Sequence, residues 1–335
     1  MALADFPRVR LAHTPTPFEP MEGLTKLLGG PRLYVKRDDC TGLAMGGNKA
    51  RQLEFYLGEA RARDADTILI TGAVQSNYLR MAAAAAAKLG MACEIQHEER
   101  VPGMGADYHS SGNVLLDRVL GATIHACPGG ADEKAADAAL EAIAETVRAR
   151  GGRPYVIHLG EYHPPLGALG YIDAAGEVLD QASRAGLAID LIVLPSGSAL
   201  THVGMLLGLR LAGSKVPVLG ICVRRGRDEQ AERVLRRASE AADMIGKTGL
   251  IGPEDVWVDD RVLAPGYGIA NDETLEAISL AARHEGLLLD PVYSGKTLAG
   301  LIGLVREGVI ARDQTVVFLH TGGTPALFGY QSLFG

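Results

Sequence analysis

The chain has 335 residues, enough for about two domains at roughly 150 residues each. Hydrophobic residues make up 47% and charged residues 22%, with 42 glycines, which suits a loop-rich α/β enzyme rather than a disordered chain. The net charge of −7 is spread over mixed acidic and basic residues. There is no basic tract or basic–aromatic stripe, so nucleic acid and anionic membrane surfaces are poor partners.

The first twenty residues, Met1 to Pro20, are polar and proline-rich and lack the apolar core of a secretory signal. Cys40, Cys93, Cys127 and Cys222 lie far apart and form no C-x-x-C pair, so reduced thiols are expected. The most apolar helical stretch, Met81–Ala87, stops at Lys88 and is too short to span a bilayer. The expectation is a soluble cytoplasmic protein with no metal site.

Short β-branched runs recur along the chain, separated by helical patterns. The predicted strands are Thr67–Thr71, Cys93–His97, Thr123–Ala126, Tyr155–Leu159, Leu191–Leu194, Val216–Val223 and Thr315–Leu319. Most end in Gly or Pro clusters. Strand, glycine loop and helix in alternation predict a mostly parallel sheet covered by helices. Ligands in such sheets bind beyond the carboxyl ends of strands. That directs attention to the loops 72–80, 158–170, 195–204 and 320–325.

Five motifs fall on or near such loops. Gly46-Gly47-Asn48-Lys49 places a lysine after paired glycines at a helix start. Desolvation and the positive helix end can lower its pKa and let it form a Schiff base. The plain alternative is a glycine turn with a solvated lysine. Gln75-Ser76-Asn77, before Tyr78 and an alanine-rich helix, offers N–H groups to a carboxylate, or simply a helix cap. Pro195-Ser196-Gly197-Ser198-Ala199-Leu200-Thr201 links a strand to an apolar helix and reads as a phosphate nest or a tight turn.

Asp290-Pro291-Val292-Tyr293-Ser294-Gly295-Lys296-Thr297 resembles a nucleotide P-loop, but Asp290 stands where the first glycine belongs. His320-Thr321-Gly322-Gly323 follows the last predicted strand, and its glycines permit a flat ring to approach. Gly266-Tyr267-Gly268 lacks the third glycine of a dinucleotide fingerprint, which disfavours a dinucleotide-dependent oxidoreductase. There is no G-x-S-x-G elbow, and His97-Glu98 and His284-Glu285 lack the second histidine of a zinc site.

Together the motifs KRDD, GGNK, QSN, Gly112-Asn113, APGYG, LDPVYSGK and HTGG, in this order over nearly the whole chain, resemble the aminocyclopropane-carboxylate (ACC) deaminase and D-cysteine desulfhydrase family. Those are pyridoxal-phosphate (PLP) enzymes of the tryptophan-synthase-β fold. The resemblance implies the two-domain PLP fold type II, each domain an open, mostly parallel sheet flanked by helices. Residues 1–50 and 160–335 would form the large PLP-binding domain, and 51–159 a small inserted one. A homodimer is also implied.

The resemblance assigns roles residue by residue. Lys49 would carry PLP and then shuttle the substrate's α-proton. Asn77 would bond the cofactor's ring oxygen. Ser76, Asn77 and the backbone of Tyr78 would hold the carboxylate of a small amino acid. Ser196, Gly197, Ser198, Ala199, Leu200 and Thr201 would bind the phosphate. Tyr267 and Tyr293 would do acid–base work at the leaving group. Thr321 and Ser294 would lie near the pyridine nitrogen, with Ser294 and Tyr162 against the substrate.

Deaminases of the family carry Glu after the DPVY tyrosine and Leu after the histidine of the closing motif. This chain has Ser294 and Thr321, the desulfhydrase pattern. A carboxylate there would keep the pyridine nitrogen protonated, which a readily departing β-substituent needs less. The implied activity is β-elimination from a cysteine-like amino acid, releasing pyruvate, ammonia and sulfide or sulfite. The stretch from Gly29 to Lys49 resembles L-cysteate sulfo-lyases. Ring opening of ACC and PLP binding without turnover are the alternatives.

The chain departs from the family at four places. Tyr78 replaces a histidine, Gln52 a lysine, and Leu200 a glycine, while Gly160-Glu161-Tyr162-His163 replaces a small-residue loop. Whether Leu200 is costly turns on whether its position needs positive φ. A carboxylate at Glu161 would repel a sulfonate substrate unless Arg80 or another cation offset it.

Overall fold

The computed structural model describes residues 3–127, 130, 132–158, 160 and 163–334. Its strands are β1 (Phe18–Pro20), β2 (Arg32–Arg37), β3 (Thr67–Ala73), β4 (Ala92–Glu98), β5 (Thr123–Cys127), β6 (Pro154–Ile157), β7 (Leu191–Ser196), β8 (Val218–Cys222), β9 (Trp257–Asp259) and β10 (Thr315–His320). Two sheets result, one in the order β1-β2-β10-β7-β8-β9 and one in the order β5-β4-β3-β6. Only β1 is antiparallel to its neighbour; the other pairings are parallel.

Parallel sheets need cover on both faces, and the residue pattern provides it. In the larger sheet Leu191, Val193, Val316 and Phe318 pack with Leu298 and Leu301 of the helix Ser294–Arg306. The alternate residues Ile192, Leu194, Val317 and Leu319 pack with Met205 and Leu206 of the helix Leu200–Leu211. This is the period of two expected of strands. In the smaller sheet Ile68, Ile70 and Ile95 face Leu53, Phe55 and Leu79, while Leu69 faces Leu140 and Ala144. Among the described residues no helix is long and apolar enough to cross a membrane.

The seven predicted strands lie on observed ones, with ends shifted by a residue or two. β6 stops at Ile157, and the predicted end at Leu159 lies outside the described residues. Val216 and Pro217 precede β8 rather than open it. Three strands were not expected: β1, β2 and β9. The Arg32–Arg37 run looks solvated by composition, yet it is paired on both sides and Lys36 is fully buried.

Lys36 is tolerated there because a buried charge network neutralises it. Its Nζ bonds Glu177 and donates to Gln181 Oε1 at 2.7 Å. Arg51 Nε and Nη2 each donate to Asp38 at 2.9 Å, and its Nη1 and Nη2 donate to Glu177 at 3.0 and 2.9 Å. Thr16 and Tyr171 hydroxyls complete the shell around Asp38. Burial opposes ionisation of Asp38, but Arg51 outweighs it and holds the carboxyl below its ordinary range. The network ties the end of β2 to the first turn of the helix Lys49–Ala62.

Removing one partner of such a network strands a buried charge. Asp38→Ala should destabilise the protein by about 3 kcal/mol, read as the midpoint of denaturant unfolding. A loss below about 1 kcal/mol would mean that Glu177 alone satisfies Arg51.

Candidate active site

Lys49 is the first residue of its helix. The preceding glycines are required by geometry. Gly46 has φ +69°, and a Cβ on it would lie 1.8 Å from the Asp39 carbonyl oxygen. Gly47 has φ +132° and sits back to back with Gly322, whose Cβ would meet the Gly47 Cα at 2.8 Å. Asn48 N donates to Thr321 O at 3.0 Å, so the first and last motifs of the chain are in direct contact.

The Lys49 side chain points into a cleft with Asn48, Ser76, Asn77, Tyr78, Tyr267, Tyr293 and Thr321 on its walls. Its Nζ lies 4.7 Å from the centre of the Tyr78 ring and 3.3 Å from Gln52 Oε1. No carboxylate among the described residues pairs with it. Desolvation brings its pKa down to about 8, so a useful fraction is a neutral, nucleophilic amine near neutrality.

The turn after β7 contributes Gly197, Ser198, Ala199 and Thr201 to the walls of the same cleft. It opens the helix Leu200–Leu211, and no side chain caps that helix end. Free N–H groups at a helix start are the donors a phosphate needs. Thr201 Oγ1 accepts from Asn48 Nδ2 and Gln52 Nε2, both at 2.9 Å, which locks this turn to the Lys49 helix. The positive φ falls on Ala199, at +77°, and Leu200 begins the helix proper. Leu200 is therefore accommodated without left-handed strain.

Two predicted phosphate residues are not on the wall. Ser196 is fully buried, and its Oγ contacts His202 Nδ1 and accepts from Gln230 Nε2. Leu200 turns its side chain toward Gly167. Ser294 is a further correction: it too is buried away from the cleft. Its Oγ donates to Asp290 Oδ1 at 2.6 Å and lies 3.2 Å from Gly322 O. It therefore supports the cleft-lining Gly322 rather than touching a ligand. Tyr162, and Glu161 beside it, lie outside the described residues.

Ser76 caps the helix Asn77–Lys88, accepting from the N–H groups of Tyr78 and Leu79 at 3.2 and 3.4 Å. The Tyr78 N–H assigned to the substrate carboxylate is thus already engaged, whereas the Ser76 hydroxyl proton is not. Asn77 Oδ1 accepts from Arg80 Nη1 and Asn113 Nδ2, at 3.1 and 3.0 Å. That orientation leaves the Asn77 Nδ2 donor for the cleft. Arg80 is fully buried and also donates to Asn113 Oδ1 and Gly46 O. It braces two walls from behind and does not face the substrate.

Tyr267 and Tyr293 meet at 2.6 Å between hydroxyl oxygens. Burial, and then Tyr267, raise the Tyr293 pKa well above 10, so it stays protonated and can act as a donor. The Asp290 carboxylate accepts from the N–H groups of Val292, Tyr293 and Ser294 and so fixes the turn that aims Tyr293. Lys296 Nζ donates to Leu263 O and Gly266 O, fixing the loop that carries Tyr267.

Three charged residues on the walls belong to no motif: Arg100, Glu133 and Arg224. The available signal was position, since Arg100 and Arg224 each follow a strand end by two residues.

An amine whose pKa is brought down to about 8, a turn of free N–H groups and a paired hydroxyl donor suit an enzyme that binds a phosphorylated aldehyde and moves protons beside it. The chain belongs to the pyridoxal-phosphate dependent enzyme family, whose model matches residues 9–322. Its cofactor is PLP, and the cleft suits it: the amine and the candidate phosphate donors line the same cleft. The chain is 41% identical to a D-cysteine desulfhydrase of Salmonella choleraesuis, over 98% of this chain and 97% of that one. It is also 41% identical to an ACC deaminase of Mesorhizobium japonicum, over 99% of both. The crystal structure of an ACC deaminase homologue superposes with a TM-score of 0.87 at 33% identity, covering 99% and 96% of the two chains. An O-ureido-L-serine synthase shares the fold, with a TM-score of 0.65 at 17% identity.

Because the Lys49 amine must be neutral to attack, PLP should recombine with the apoprotein at a rate that rises with pH through about 8 and then levels off. A rise continuing toward the ordinary lysine value of 10.5 would show that the amine is solvated. Lys49→Ala should bind PLP without the absorption band of a Schiff base.

Proposed function

We propose that this enzyme is a β-eliminating lyase acting on a small cysteine-like amino acid, giving pyruvate, ammonia and the released β-substituent. The observation that carries this reading is the Tyr267–Tyr293 hydroxyl pair in the same cleft as the Lys49 amine. When bound, PLP supplies an electron sink for a carbanion at the substrate's α-carbon. The protein's own groups do the rest. Lys49 Nζ takes the α-proton. The Ser76 hydroxyl and Asn77 amide orient the carboxylate. Gly197, Ser198, Ala199 and Thr201 hold the phosphate. The Tyr267–Tyr293 pair delivers a proton to a departing β-substituent that needs one.

Elimination is favoured over ring opening by what stands at two positions. Thr321 on the wall carries no charge, and the Ser294 hydroxyl is spent on Asp290. A carboxylate at the second position would strengthen the electron sink, as ring opening requires. The relatives alone do not separate the two reactions, since their identities are equal.

Two coarser features complete the reading. Residues 1–50 and 160–335 form the PLP-binding unit and 51–159 the smaller one, supported by the division of strands between the sheets. The working form is a cytoplasmic homodimer, as the family resemblance implies.

The test is to assay pyruvate from D-cysteine, L-cysteine, L-cysteate, 3-chloro-D-alanine and ACC. The last would yield 2-oxobutanoate instead. No pyruvate from any of the first four sinks the proposal. Tyr293→Phe should lower kcat for cysteine by about 10²-fold and for 3-chloroalanine by less, because chloride leaves without a proton. Equal losses would place Tyr293 outside the leaving-group step.

A further inference from the structure

The elimination chemistry leaves two guanidinium groups of the cleft without work. Arg100 follows β4 of the smaller sheet and Arg224 follows β8 of the larger one, yet both line the cleft that holds Lys49. Their side chains are 9% and 16% exposed, so an anion meeting them would be largely out of water. Charge-assisted hydrogen bonds gain strength there.

Both guanidiniums keep unused donors. Arg100 spends Nε and Nη2 on the two oxygens of Glu98, at 2.9 and 2.6 Å. Its Nη1 makes no hydrogen bond among the described residues. Arg224 Nη1 lies 2.8 Å from Glu133 Oε1, and its Nε and Nη2 have no partner among the described residues. Glu133 is itself over-subscribed, since Arg225 and Arg233 also pair with it at 2.5 and 3.1 Å. Its carboxylate therefore cannot repel an incoming anion as a free one would.

The pair sits on the tyrosine side of the cleft. Arg100 is within electrostatic reach of Tyr267 and Tyr293, and Arg224 within reach of Arg100 and Tyr267. Arg225 and Arg233, by contrast, reach the carbonyls of Gly197 and Ser198 at the phosphate turn. Two like charges facing one water-poor space repel each other, and an anion between them removes that cost.

We propose that Arg100 and Arg224 form a subsite for a negatively charged β-substituent, so that the preferred substrate is a small amino acid ending in a sulfonate or a phosphate ester. The inference rests on the elimination reading. The Cα–H proton passes to Lys49, and the Cβ–S or Cβ–O bond breaks with its electron pair leaving on sulfite or phosphate. One water then converts the remaining enamine to pyruvate and ammonia. Such a leaving group departs as an anion and stays bound by the same guanidiniums.

The test combines binding and turnover in the holoenzyme. Aspartate carries a side-chain carboxylate that cannot leave, so cofactor absorbance reports its binding against alanine, with both enantiomers of each. Aspartate should bind about tenfold tighter than alanine, and Arg224→Gln should remove most of that preference while Arg224→Lys keeps part of it. Arg224→Gln should also cut kcat/KM for cysteate or O-phosphoserine by about 10²-fold more than for 3-chloroalanine. Which of the two anionic substrates yields pyruvate faster distinguishes sulfonate from phosphate ester. Alanine binding as tightly as aspartate overturns the proposal, and this comparison needs no variant. So does an Arg224→Gln protein that loses PLP affinity with its aspartate preference intact, which would assign the arginine to the cofactor phosphate. No pyruvate even from 3-chloroalanine sinks the elimination reading instead, and the aspartate-to-alanine ratio still decides the anion subsite.

Discussion

The buried pair between Arg51 and Asp38 is the constraint on which the site depends. Asp38 immediately follows the strand β2, and Arg51 stands two residues after Lys49. Between them runs a loop with three glycines at positive φ, which has little conformational preference of its own. Fixing both ends by a bidentate ion pair, with Glu177 and Tyr171 behind it, sets where the helix begins. Buried ion pairs contribute little net stability against an apolar alternative of equal shape. What this one contributes is register: a shift of the helix by one residue would carry Lys49 about 100° around its axis and out of the cleft.

Around that anchor the cleft is assembled at the carboxyl ends of strands from both sheets. β3 delivers Ser76 and Asn77, β7 the turn 197–201, and β10 Thr321 and Gly322. Such an assembly needs cross-braces, and each is a polar side chain reaching between loops. Thr201 joins the phosphate turn to Asn48 and Gln52. Arg80 joins the glycine loop to Asn77 and Asn113. Gln52 deserves its place here: a lysine would bring a second ammonium close to Lys49, whereas the amide can accept from Lys49 and donate to Thr201 at once.

The sheets were legible in the sequence because parallel strands buried on both faces read as apolar runs, as Thr67–Ala73 does. β2 was not, because Lys36 and its flanking arginines disguise a buried strand whose charges are cancelled by partners far along the chain, at positions 51 and 177. The motif order located Lys49, Asn77, the phosphate turn and both tyrosines in one cleft. It did not resolve which hydroxyls face inward. Ser196 and Ser294 belong to the right loops but are consumed by His202 and Asp290, contacts that only three dimensions reveal. The left-handed residue of the phosphate turn proved to be Ala199, one place before the position where a glycine seemed to be missing. Arg100 and Arg224 escaped for a similar reason, since surface and cleft arginines look alike in sequence.

The charges of the cleft then fit one requirement. Lys49 must remain a neutral amine often enough to attack, so no free carboxylate can stand beside it to stabilise the ammonium form. Yet two acidic side chains, Glu98 and Glu133, lie at or behind the walls. Each is silenced by arginine: Glu98 by the fork of Arg100, Glu133 by three guanidiniums at once. With three cations to one carboxylate, the balance around Glu133 overshoots neutrality, and Arg224 carries part of that excess toward Tyr267. The same arrangement that keeps acid away from the lysine therefore leaves a cationic surface where the substrate's side chain must lie. Catalytic competence at Lys49 and selection at the far wall follow from one distribution of charge.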